Sequence, residues 1–313
     1  MRRKLILMGM AALGAAVFLL LWHVNIDILG YVLSKRSIKV LAILLSAWSI
    51  GSATLVFQTI TGNRILSPSI LGLDSIYILF QLLAVMLIGR FTVLATNPYI
   101  NYIVTTTLMC LFSSVLYQKV FSKKKSIFSI VLVGVVMGTF FSSITGMLQM
   151  MMDPDAYTMA LDRLFASFND VEEDLLLLSS IIVTVVLIQF YRRHHLLDVI
   201  ALGKNYAINL GVNYDKEVKA LLVMTFVLIS VSTALVGPIT FLGFFAVNIT
   251  KTYLKTHRHQ ILIWGTVFMS TITLLIGQIF VEHVFGFALP ISILISILGG
   301  TYFIGLLLKE SVA

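Results

Sequence analysis

Chemistry needs particular side chains at particular spacings, and this sequence of 313 residues holds few of them. Its histidines are His23, His194, His195, His257, His259 and His283. None has a histidine partner four positions along a helix beside a carboxylate, the pattern that sets two imidazoles on one helical face around zinc. Adjacent His194 and His195 would point in different directions on a helix, which suits positions at an interface better than metal ligation. Cys110 is the only cysteine, so no internal disulfide and no thiolate zinc cage can form. Gly203-Lys204 lacks the upstream glycine and the following Ser or Thr of a phosphate-binding loop, which removes that route to ATP. No GxSxG elbow is present, and no two carboxylates fall at one depth of a bilayer. The chain reads as a non-enzyme with no cofactor of its own.

What remains is polar without charge. Gln58, Asn63 and Gln81, with the helix face carrying Gly51, are expected to line a wet path, because amides escape most of the desolvation penalty of a charge. The intramembrane charges, Asp74 and Glu282, sit near helix ends. An ion-coupled secondary transporter keeps ionisable groups near the midplane, so that alternative is disfavoured.

These residues need elements to position them, and the composition says which. The chain is 59% hydrophobic and 12% charged, with a mean hydropathy of +1.00, whereas a soluble domain is about 25% charged. Lipid is the main solvent. A spanning helix uses roughly 20 apolar residues, and the apolar runs predict about ten spans, near 4–22, 39–60, 69–88, 101–119, 127–152, 174–191, 219–236, 239–252, 262–281 and 289–308. The first run follows Arg2, Arg3 and Lys4 but is followed by no small-residue cleavage site, so it is expected to stay as a helix. Gly237-Pro238 splits the run from Ala220 to Thr250 into two spans.

Charge sets the orientation. With the N-terminus cytoplasmic, only Lys35, Arg36, Lys39, Arg90 and Arg163 of the 22 Lys and Arg fall outside, as the positive-inside rule requires. The net charge of +8 is therefore topology and not a nucleic-acid surface. Asp153, Asp155, Asp162, Asp170, Glu172, Glu173 and Asp174 crowd the outer connection between spans five and six. A single all-α transmembrane domain over 1–313 is expected, with both termini cytoplasmic. Pro68 and Pro238 fall at matching places in blocks 39–152 and 219–308, which begin on opposite faces, the pattern of an inverted repeat. The longest cytoplasmic connection, 192–218, has the apolar run Leu196 to Leu202 and two punctuating glycines, Gly203 and Gly211, and looks like a docking element.

Particular strings then resemble a family. From Ile200 to Lys251 the sequence reads IALGKNYAINLGVNYDKEVKALLVMTFVLISVSTALVGPITFLGFFAVNITK. It resembles the permeases of ABC importers for ferric siderophores, haem and vitamin B12: Leu202, Gly203, Ala207, Leu210, Gly211 and Val212 match one motif, and Gly237, Pro238, Ile239, Phe241 and Gly243 another. Upstream, Gly51, Gln58, Asn63, Pro68, Leu71 and Gly72 match a third. Thr240, Val247 and Asn248 depart from the usual pattern, and the variants are most similar to permeases for ferric catecholate-type siderophores such as petrobactin.

The resemblance implies ten helices per subunit, a dimer with a second permease, and two ATPase subunits that bind ATP and grip Ala201 to Val212. It also implies an extracytoplasmic siderophore-binding protein, for which Lys35, Arg36 and Lys39 are the outer docking candidates. The expected function is passage of ferric siderophore across the cell membrane, powered by a partner.

Overall fold

The computed structural model describes residues 2–22, 29–88, 97–121, 127–169 and 171–311. His23, Arg90, Lys123, Lys124, Lys125 and Asp170, which entered the charge pattern, lie outside them. Among the described residues the regular structure is entirely helical. In lipid this is forced, since no water is present to bond a free N–H or C=O and a helix satisfies both within one segment.

The order is α1 (Arg2–Leu21), α2 (Leu29–Thr61), a 3₁₀ turn (Pro68–Leu71), α3 (Leu73–Ile88), α4 (Pro98–Phe121), α5 (Ile127–Met151), α6 (Pro154–Leu164) and α7 (Glu173–Arg192). There follow α8 (His194–Ile200), α9 (Lys204–Asn209), α10 (Tyr214–Val236), α11 (Leu242–Leu254), α12 (His259–His283) and α13 (Ile291–Ser311). Six of them contain stretches long and apolar enough to cross a bilayer, and Leu73–Met86 and Ile291–Leu306 are shorter apolar helices.

Helix α2 is the central post. It packs against α10, α12 and α11, and Ala42, Ile43, Ala47, Ala53, Leu55 and Val56 are sealed from solvent. Several of its hydroxyls are satisfied within the helix: Ser49, Ser52, Thr59 and Thr61 each donate to the carbonyl four residues back, which satisfies a polar group where no water reaches. The outer helices show the opposite pattern. Leu7 and Leu13 on α1, Phe140 and Met150 on α5, and Ile304 on α13 are exposed apolar side chains, a surface that belongs in lipid.

Two boundaries differ from expectation. Helix α2 begins ten residues before the expected 39, because Lys35, Arg36 and Lys39 decorate its watery end without breaking it. The outer acidic stretch, read as a connection, contains α6, whose Asp153 side chain accepts from the Asp155 N–H while Pro154 occupies the first helical position. The break at Gly237-Pro238 falls as expected: α10 stops at Val236, and Gly237 takes φ +97°, open to glycine at little strain.

Candidate functional site

The connection after α7 folds into two short helices, α8 and α9, joined by Gly203 at φ +101° and left through Gly211 at φ +83°. Leu197, Ile200 and Ala207 are buried and anchor the pair to the bundle. The Val212 N–H donates to the Ala207 carbonyl at 3.0 Å, and Lys204 bridges Asp215 at 2.9 Å. Asn213 caps α10 by accepting from the Lys216 N–H. A fixed base therefore holds up an apolar tip: Leu202, Tyr206, Ile208 and Leu210 are 59, 67, 50 and 63% exposed. These stand at the end of the bundle beside Lys204, Asn205 and Asn209 and form an exposed apolar knob. Of the expected coupling residues, Ala201, Leu202, Gly203, Leu210 and Gly211 lie on the exposed side, while Ala207 and Val212 seat the unit.

Helix α8 is also tied to the bundle through charge. Asp198 accepts from both the backbone N–H and the ring Nδ1 of His259, at 2.8 and 2.7 Å, and His259 Nε2 lies 2.8 Å from Thr59 Oγ1 of α2. The knob is thus linked through Asp198 and His259 to the central post.

The expected path residues separate into distinct groups. Gln58 is buried at the same end as the knob, its Nε2 donating to the Arg64 carbonyl at 2.7 Å and its Oε1 accepting from Lys251 at 2.9 Å. Gln81 forms a reciprocal amide pair with Asn101, at 2.9 and 3.0 Å, next to Thr105. Asn63 is exposed and its Oδ1 accepts from the Ile65 N–H, which stabilises the turn after α2. Gly51 sits where α2 meets α12, and a Cβ there would lie 2.7 Å from Ser270 Oγ. A cavity of about 400 Å³, lined among others by Tyr77, Asn101, Arg163, Glu172 and Gly237, opens at the other end of the bundle.

On that opposite end, Lys35 is exposed, while Arg36 and Lys39 are engaged with their own chain. Arg36 donates to the carbonyl of Trp22 at 2.6 Å, close behind the C-terminus of α1, where a cation meets the negative end of the helix dipole. Lys39 bridges Glu282 at 2.6 Å, with both side chains largely shielded, and Gln278 donates to the same carboxylate. Gly243 presses α11 onto Thr54 of α2, and Phe241 lies against Gly299 of α13. Close helix contacts through small residues are the means by which helices associate in lipid.

Within the stretch from Ala201 to Val212, sequence reasoning singled out neither Tyr206 nor Ile208, although apolar side chains inside a polar connection were the available signal. It also missed Asp198–His259 and Lys251–Gln58.

A sheath of lipid-compatible apolar helices around a largely apolar core, with an exposed apolar knob at one end and a cavity at the other, is the architecture of an integral membrane protein. The chain belongs to the FecCD transport family, whose model matches residues 5–309. It is 46% identical over 307 residues, covering 98% of this chain and 96% of the relative, to the petrobactin import system permease protein YclO of Bacillus subtilis strain 168. The petrobactin permease FatC of Bacillus anthracis is 28% identical, over 89% of this chain and 79% of FatC. Among solved structures, one described as an inward-facing metal-chelate type ABC transporter shares the fold at a TM-score of 0.84 and 19% identity, over 98% of this chain and 99% of that one.

Proposed function

We propose that this chain is the membrane permease of an ATP-driven importer of ferric siderophore, of the catecholate-containing kind carried by its petrobactin-permease relatives. The observation that carries the reading is the apolar tip of Leu202, Tyr206, Ile208 and Leu210, held out by buried Leu197, Ile200 and Ala207. An ATPase cleft covers that tip and drives it; this chain supplies the path and no nucleotide site. The whole of 1–313 acts as one domain with ten crossings, adding α3, α4, α11 and α13 to the six long apolar helices, and both termini face the cytoplasm. A second permease, identical or related, closes the path against it.

Gln58 and Gln81 line the inner and outer parts of the path, Asn63 its inner mouth, and Gly51 the close contact that sets the width. Gly237, Pro238, Phe241 and Gly243 hold the interrupted pair α10 and α11 that borders it. Outside, Lys35 meets acidic groups of an extracytoplasmic siderophore-binding protein, while Arg36 and Lys39 shape that rim through their internal bonds. Exposed ion pairs give about 0–1 kcal/mol each, so they steer docking more than they hold it.

A strain lacking the gene should lose uptake of radiolabelled ferric petrobactin at least tenfold and recover it when the gene is restored. Equal uptake with and without the gene, in a strain with no other petrobactin permease, contradicts the substrate assignment.

A further inference from the structure

Beside the knob, the ends of α2, α11 and α12 enclose a cavity of about 400 Å³, lined among others by Gln58, Arg64, Asn248, Lys251, Lys255 and His257. Its electrostatics are lopsided. No carboxylate is among its described lining residues, and Asp198, which meets the lining residue His259, is already engaged by it. Among the described residues no ion pair joins Arg64, Lys251 or Lys255 to an acid. Arg64 and Lys251 lie close enough to repel one another.

That repulsion is built in. Gln58 and Asn248 both donate to the Arg64 carbonyl, at 2.7 and 3.0 Å, which fixes the turn carrying the guanidinium. The same Gln58 accepts from Lys251 at 2.9 Å, which holds the ammonium in the cavity wall. Two amides thus position two like charges around one space. Like charges gathered without a counter-charge are unfavourable unless an anion completes the set. The guanidinium fork matches phosphate oxygens in bidentate fashion, and an ammonium serves phosphate as a point charge. Leu262 and Leu306 add an apolar side to the cavity, and basic pockets between helix ends on the cytoplasmic side are the form that anionic headgroup sites take.

We propose that this cavity is a phosphate-binding site, with Arg64, Lys251 and Lys255 as its cationic ligands. It rests on the proposed function only for the side of the membrane it faces, since phosphate binding requires neither ATPase nor siderophore. The phosphate belongs either to an anionic lipid headgroup or to a small soluble phosphate.

The test uses the purified full chain in nanodiscs of phosphatidylcholine, with and without phosphatidylglycerol, and with inorganic phosphate titrated into the first. Thermal midpoints are read for the wild type, for Arg64→Gln with Lys251→Gln, for Arg64→Gln alone, and for Lys216→Gln as a cytoplasmic cation outside the cavity. A ligand of the folded state raises the midpoint with its concentration. Wild type and Lys216→Gln should respond alike, and the cavity variants should need at least tenfold more ligand. Arg64 is exposed, so its single variant reads the site even if the double variant does not fold. A response to phosphatidylglycerol alone identifies the headgroup; a response to inorganic phosphate identifies the soluble form. No response to either, or one that Arg64→Gln leaves unchanged, overturns the proposal.

Discussion

Replacing Leu202 and Leu210 together by aspartate should leave the chain inserted and monodisperse but lower ATP-driven uptake by at least about 100-fold. Both side chains are exposed in the free subunit, 59 and 63%, so the bundle has little to lose. Fully burying a leucine in a partner's cleft contributes about 1.5–3 kcal/mol, and a buried carboxylate without a partner adds a penalty of its own. The two changes together therefore weaken docking by about 4 kcal/mol or more, close to a thousandfold in the association constant. The readouts are uptake and stimulation of ATP hydrolysis in the assembled complex. Unchanged stimulation would show that the ATPase grips elsewhere.

The second large effect is steric. Gly243→Leu should lower the thermal midpoint of the detergent-solubilised chain by roughly 5–10 °C, from about 3 kcal/mol of overpacking. A Cβ at position 243 collides with Thr54 of α2, and the Ile50 carbonyl lies 3.0 Å away, so backbone as well as side chain would have to move. Helices in lipid gain no hydrophobic attraction for one another, which leaves close packing as the main force holding α11 to α2. Gly305→Leu is the matched control, since nothing lies within 4 Å of a Cβ there. Equal melting of the two variants would remove the packing role assigned to Gly243.

Much of this architecture was legible because lipid constrains sequence so strongly. Apolar runs marked the long helices, and Gly237-Pro238 marked the end of α10 to the residue. Where charges obscured the pattern, the reading failed for a definable reason. Lys35 and Arg36 fall before the expected span at 39, yet a helix can continue beyond an apolar run, as α2 does from Leu29. Helix α6 carried a capping aspartate and a proline at its first position, a start signal hidden by the acidic residues around it.

The knob could be anticipated from Gly203 and Gly211, because turns between short helices announce themselves locally. Its attachment could not. Asp198 reaches His259 across 61 positions, and Lys251 reaches Gln58 across 193. No local pattern encodes a contact of that separation. The partners of the amides Gln58 and Gln81 were equally hidden, since Lys251 and Asn101 reach them only in the fold.

This chain conducts but does not power transport. The most direct test is uptake of ferric petrobactin into proteoliposomes containing the chain with its partner permease, ATPase and binding protein. Accumulation should require ATP and vanish when the ATPase is omitted, whatever proton or sodium gradient is imposed. Accumulation driven by an ion gradient without ATPase would contradict it.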